Sequence, residues 1–541
     1  MHVDLIITNS NIHTMNAAQP HATSLAILGE RIVAIDDVEG LQAIRTVDLG
    51  GKTITPGFHD AHNHMTHFGM QMQEIALSSP GVQTLEEVYA LVAAQAAQLP
   101  EGSWIIGSGY DQNKLGGAHP TRQRLDEIAP RHRVWLKHTS AHMAVVNGMI
   151  LDEVDIEAAP PGGEVVKDQN GQPTGLLQEQ AQALVQDLVR PYPQQTIVDA
   201  LARASAEYAK EGLVGVHEAG IGGGWVGNSP VEFAAYQQAR ADGVLKQRIT
   251  VMVVSDSIHD LDRAAADGPA KGLDLGIRTG LGDNLLRIGA MKLFSDGSLL
   301  GHTAAMCEDF ANGPGEVGFL QEEVASLKAK ALGAHRAGWQ IAAHAIGDRA
   351  VGVVLDIFED ILAKFPREDH RHRIEHCGVC RPEYIERIAK LGLIPVPQGR
   401  FVEEIGDGMV AALGTEREGW AYRFKSFLDA GIIVPGSSDR PVVLGAPLLG
   451  MQAMVNRRTE SGAILGPDEI VSTEDALRCY TTGSTYAAFM EDESGSLQAG
   501  KLADLVVLSD DILSVDPATI GQLEVLATMV GGELTHGALD G

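Results

Sequence analysis

The chain has 541 residues, 44% of them apolar and 21% charged, an ordinary globular composition in a length too great for one minimal domain. Against 71 acidic residues stand 41 basic ones, a formal charge of −30 that argues against nucleic acid and anionic membrane as partners. Small molecules are the expected partners, together with a second copy of the chain as the default homodimer. No stretch approaches the roughly 18 uncharged apolar residues of a membrane span, and no Lys or Arg precedes Arg31, so a cytoplasmic protein is expected.

In chain order, the opening DLIITNSNIHTM, SLAILGERIVAI and TVDLG runs read as short β-strands. From about residue 54 short apolar runs follow: TITPGFHDAHNH, RVWLKHTSAH, LVGVHEAG, LLRIGAMKLFSDG, WQIAAHAIGD, HRIEHC, LIPVPQG and IIVPGSSD. Helix-period segments such as EVASLKAKALGAHRAG and PEYIERIAKLG stand between them and end at Gly. Strand and helix alternating through these eight runs predict an α/β protein, a TIM-like (β/α)8 barrel. The first two gaps are longer than one helix needs and hold turn-rich stretches, which predicts an insertion over about 66–211 capping the barrel mouth. The C-terminal ADLVVLSD and EVLATMVGGEL runs read as strands again. The expected organisation is a barrel over 54–485, with residues 1–53 and 486–541 meeting in one small β-sandwich.

Active-site residues of such barrels come from the C-terminal ends of the strands. In the first run, alternation puts Asp60, His62 and His64 on one face, so two imidazoles can grip one metal ion. Strand 4 ends in Lys292, strand 5 in His344, strand 6 in His376 and strand 8 in Asp439. Imidazole and carboxylate suit Zn(II) and related ions, and this set suffices for two ions with a position open to water. Lys292 is the odd member. Carbamylation would make it an anionic bridging ligand, whereas a neutral or salt-bridged lysine near Asp296 would leave a single metal, and the residues alone do not separate these readings. The four cysteines, Cys307, Cys377, Cys380 and Cys479, are too few for a disulfide framework, and Cys377 and Cys380 read as buried thiols.

In order along the chain, PGFHDAHNH, MKLFSDGSLLG, HAIGDRA, RIEHC and GSSDRPV resemble the signatures of the amidohydrolase superfamily, specifically its amidohydrolase 3 or YtcJ-like branch, which includes N-substituted formamide deformylases. GYDQNKLGG, HPTRQRLD, SAHMAVVNG, GQPTGLLQE and GSLQAGKLADLVVL extend the resemblance to nearly the whole chain. Two departures stand out, the second Leu of GSLLG and the Ser of SAH, and both are expected to touch the pocket more than the metals. The resemblance implies that His62 and His64 bind the more buried zinc ion and His344 and His376 the more exposed one, with carbamylated Lys292 bridging them. It also implies that Asp439 is ligand and proton shuttle in the attack of a metal-bound hydroxide on a carbonyl. An N-cap role in SSDRP does not account for Asp439 standing at the end of an apolar strand.

His142 and His217 sit where strands 2 and 3 are expected to end, and either is a candidate to hydrogen-bond substrate or polarise its carbonyl; each is equally compatible with a satisfied buried histidine. Tyr110, Asp111, Glu218 and Gln398 are weaker pocket candidates, and His2, His13, His21, His370 and His536 are expected on the surface. The expected function is hydrolysis of a non-peptide carbon–nitrogen bond, in an N-substituted formamide or similar small amide. Ester, carbamate or cyclic amide hydrolysis and ring deamination use the same hydroxide, and a regulatory or binding protein that kept the barrel is the alternative outside catalysis, although no expected ligand is missing.

Overall fold

The computed structural model describes residues 2–79, 81–224, 226–268 and 270–539. Its centre is a seven-stranded parallel sheet of β1 (Phe58–Asn63), β2 (Leu213–Ile221), β3 (Arg248–Val254), β4 (Leu286–Phe294), β5 (Ile341–Ala345), β6 (Arg373–His376) and β7 (Ile394–Val396), neighbours in that order. Every residue of β2 and β3 is buried, as a parallel sheet covered on both faces requires, and Val and Ile dominate β3. Helices Val324–Arg336, Asp348–Lys364 and Pro382–Leu391 follow β4, β5 and β6. The third begins with Pro in its first turn and ends at Gly392, whose φ of 63° is the left-handed conformation that glycine adopts without strain.

An irregular eighth stave, residues 432–440, nearly closes the ring against β1. Ala61 N–H donates to Gly436 O, Asp439 N–H to His62 O at 2.7 Å, and His64 N–H to Arg440 O at 2.8 Å. Asp60 cements the seam. Its carboxylate accepts the Ser438 N–H at 3.0 Å and the Ser438 hydroxyl, so it faces the closure and not the cavity.

The run RVWLKHTSAH, expected as the second barrel strand, lies elsewhere. Its Arg133–His138 strand belongs to a second, six-stranded sheet with 104–110, 143–146 and 173–179, while β2 takes the place beside β1 and the run RITVMVV, not among the expected strands, enters the barrel as β3. The two runs have the same apolar, β-branched signature, and such runs do not encode which sheet they join.

Residues 53–56, expected to open the barrel, pair antiparallel with Leu505–Leu508 in a sheet built from both ends of the chain. This sheet and a four-stranded one over residues 2–48 share an apolar cluster that includes Ile7, Leu25, Ile54, Leu505 and Met529. Arg248, the first residue of β3, grips Asp504 through two 2.8 Å bonds and ties that sheet to the barrel. Among the described residues no helix is long and apolar enough to cross a membrane. His13 and His370, expected on the surface, are buried, bonded to Asp511 at 2.7 Å and to the Leu391 carbonyl at 2.9 Å, because polar partners lie beneath them that the sequence pattern does not display.

Candidate metal centre

Because the strands run parallel, their C-terminal ends meet at one mouth. His62 near the end of β1, His64 just beyond it, Lys292 in β4, His344 in β5, His376 ending β6 and Asp439 in the eighth stave all line one cavity of about 110 Å³. His376 has a φ of 65°, a left-handed turn at the strand end that breaks the alternation. Among the described residues, the donor atoms of His62, His376 and Asp439 lie within 4.8 Å of one another.

Asp439 Oδ1 stands 3.2 Å from His64 Nε2 and 3.4 Å from His62 Nε2. The His62 ring is fixed from behind. Its Nδ1–H donates to Glu375, a carboxylate held by Arg373 at 2.7 and 2.9 Å, so the Nε2 lone pair points to the cluster. His376 is held the same way by Gln398, which accepts its Nδ1–H at 2.7 Å while donating to Val396 O and Ser437 Oγ. The His344 ring packs 4.5 Å from that of His376. These imidazoles and one carboxylate, oriented by outer partners, fit a divalent metal of the zinc class.

Lys292 is 1% exposed, with Nζ 3.4 Å from His62 Nε2 and 4.9 Å from the Phe294 ring centre. Asp296 is not its counter-ion among the described residues. That carboxylate accepts the backbone N–H groups of Ala305, Ile346 and Gly347 and lies 3.5 Å from His344 Nε2. Burial lowers the Lys292 amine to about 8, which raises the fraction of free base able to react.

The same burial pushes His376 down to about 3 and His344 well below the ordinary imidazole range, so both are neutral. Burial alone would lift Asp439, but His62, His64 and His376 hold it well below the carboxylate range. Burial likewise opposes the charge on His64, yet Asp439 and Glu218 raise it to about 9. A histidine must be neutral to ligate, so that proton has to leave on metal loading.

His142, carried by the second sheet, also lines the cavity, its ring 5.4 Å from that of His344. Its Nδ1–H donates to Glu179 at 2.7 Å, and Glu179 in turn accepts from Gln321 at 2.9 Å and from the Thr303 hydroxyl. Burial works against the His142 cation, and Glu179 overcomes it.

The remaining candidates do not line this cavity. His217 accepts a 3.0 Å bond from Arg373, and burial keeps it neutral beneath the centre. Gln398 is fully buried and touches His376, as described. Glu218 accepts from Tyr236 at 2.6 Å and lies 3.7 Å from His64 Nδ1. Tyr110 bonds His119 at 3.2 Å, and Asp111 lines a neighbouring groove with Lys114 and Arg400. For His217 the reason is that strand-end position predicts proximity to the mouth but not which way a side chain turns.

Sequence reasoning passes over Glu375, Glu179 and His67. Glu375 is one residue from His376, which alternation places on the opposite face; the signal for it is the Arg373–Glu375 pair two apart in a strand that has to be buried. His67 lines the cavity three residues past His64, its ring stacked 5.6 Å from it.

The family model for amidohydrolases matches residues 45–536. The chain is 30% identical to YtcJ of Bacillus subtilis (strain 168), covering 91% of this chain and 90% of that one. It is also 30% identical to an N-substituted formamide deformylase of Arthrobacter pascens, covering 98% of each. A crystal structure of an uncharacterized metal-dependent hydrolase from Pyrococcus horikoshii OT3 is similar at a TM-score of 0.74 and 26% identity, covering 95% of this chain and 99% of that one.

Proposed function

The chain belongs to the amidohydrolase family, and from that premise we propose that it is a zinc-dependent hydrolase of a non-peptide carbon–nitrogen bond in a small molecule, an N-substituted formamide or similar amide. The observation that carries the reading is the convergence of His62, His376 and Asp439 beside a buried Lys292 at one cavity. In it, His62 and His64 would hold one ion and His344 and His376 a second, with Lys292 standing beside both pairs as the further ligand. As a free amine Lys292 would add to carbon dioxide, making an N–C bond and losing a proton, and the resulting carbamate would supply an anionic ligand in place of a repelled ammonium. Metal bound there supplies Lewis-acid polarisation of a carbonyl and acidification of water.

The chain's own groups do the rest. Asp439, ionised at neutral pH, accepts the nucleophile's proton and delivers it to the leaving nitrogen. His142, which lines the cavity and is held through its Nδ1–H by Glu179, stands where it polarises the carbonyl oxygen. The aromatic walls Trp135, Tyr192 and Phe294 receive the organic part of the substrate and exclude water.

Metal analysis of the purified protein tests the site, with about two ions per chain expected and about one contradicting the bridge. Asp439→Asn is expected to abolish turnover of formamides and small amides; retained activity would remove Asp439 from the proton transfer. A panel of formamides, amides, esters and carbamates on which the wild-type protein is inactive would overturn the hydrolase reading itself.

A further inference from the structure

A second, smaller chamber adjoins the centre. It shares His142, His376 and Asp439 with the main cavity and is otherwise walled mainly by apolar side chains, among them Leu299, Leu300, Ile346, Phe401 and Met409. These residues belong to one buried apolar cluster, separate from that of the barrel wall. Leu299 and Leu300 come from GSLLG, in the segment after β4. The chamber measures about 30 Å³. One water-sized group needs roughly 10–15 Å³ in that measure, so two to three small groups fit.

Resting on the amide-hydrolase reading, we propose that this chamber is the acyl subsite, and that the preferred substrates are N-substituted amides of short alkyl acids, with about two to three carbon atoms beyond the carbonyl. A carbonyl carbon placed among His142, His376 and Asp439 has two substituents and two spaces to put them in. The larger cavity, with Trp135, Tyr192 and Phe294, has room for the substituent on nitrogen. The chamber has room only for the short chain on carbon, and its walls reward that chain for being apolar. A formyl group leaves the chamber without an occupant from the substrate, and a chain much longer than three carbons meets close-packed side chains.

The test uses the metal-loaded full chain and a series of alkyl hydroxamates from formo- to hexanohydroxamate, with dissociation constants measured by calorimetry. Affinity is expected to rise about fourfold per added carbon as far as propiono- or butyrohydroxamate and then to fall. Leu300→Trp, which fills the chamber, is expected to remove the gain, and Leu300→Ala or Met409→Ala to move the optimum one or two carbons longer. If the Trp variant does not fold, the two Ala variants carry the test. Equal affinities across the series, a gain that continues with length and ignores Leu300 and Met409, or no binding of any member would each overturn the acyl subsite. Hydrolysis of N-acyl amines is measured in parallel: turnover with a flat hydroxamate series removes the subsite and leaves the hydrolase, whereas a Leu300-dependent series without turnover does the reverse.

Discussion

Glu375 stands behind His62, accepting the Nδ1 proton of an imidazole that lies 313 positions earlier in the chain. This contact fixes which nitrogen of His62 faces Asp439 and the candidate metal centre, and Arg373 fixes Glu375 in turn.

Glu375→Gln keeps the shape of the side chain but takes away the charge that holds His62 and neutralises Arg373. Metal affinity is expected to fall on the order of 10–100-fold, read by competition with a chelator. Unchanged affinity would show that His62 is oriented by packing alone. Because the variant leaves Arg373 buried with a neutral partner, a loss of stability is expected with it.

Glu179 has the same relation to His142, from the side of the second sheet. Its φ of 50° is a left-handed backbone held in place by the bonds from His142, Gln321 and Thr303. Glu179→Gln is expected to lower kcat by on the order of 10²-fold through misplacement of His142, with metal content unchanged. A loss of metal, or a change in KM alone, would give Glu179 a different role.

Acid sensitivity should trace in part to His59. It is 3% exposed in β1, and burial pushes it down from 6.5 to about 4, Asp504 opposing and Arg248 adding to the effect. The folded state therefore takes up this proton less readily than the unfolded one. The stability concerned is fully present above pH 6.5 and is lost as pH falls through about 4, to an extent on the order of 3 kcal/mol. His59→Gln is expected to flatten that limb, measured as the change in Tm between pH 7 and pH 4. Parallel curves for the two proteins would acquit His59.

Gly69 is where helix Met65–Gln71 crosses helix Gln194–Lys210. A Cβ there would stand 1.9 Å from the Ala200 carbonyl oxygen, a backbone atom that cannot rotate aside. Gly69→Ala is expected to destabilise the protein by at least about 1–3 kcal/mol, read from the denaturant midpoint. A neutral effect would mean that the two helices separate freely.

The convergence of these residues on one cavity is legible in the sequence because two regularities act together. Parallel strands bring their C-terminal ends to one mouth, and His62, Lys292, His344, His376 and Asp439 each stand at or near the end of an apolar run. What supports them is less legible. Glu375 is hidden by alternation, and Glu179 reaches His142 across a sheet whose strand order no local pattern contains. The exchange of Arg133–His138 for β3 has the same origin: composition makes a strand, and long-range pairing decides its neighbours.

The seam at the eighth stave has a consequence for when the protein becomes functional. Ser438 and Asp60, joined across it, are 378 positions apart, and Asp439 is the last of the donors to be synthesised. A growing chain on the ribosome therefore has no complete set of donors until the final stave has emerged and met the first. Loading of the proposed metal would then report that the ring is shut, and the ion would act as a clasp, adding its binding energy only to molecules already closed.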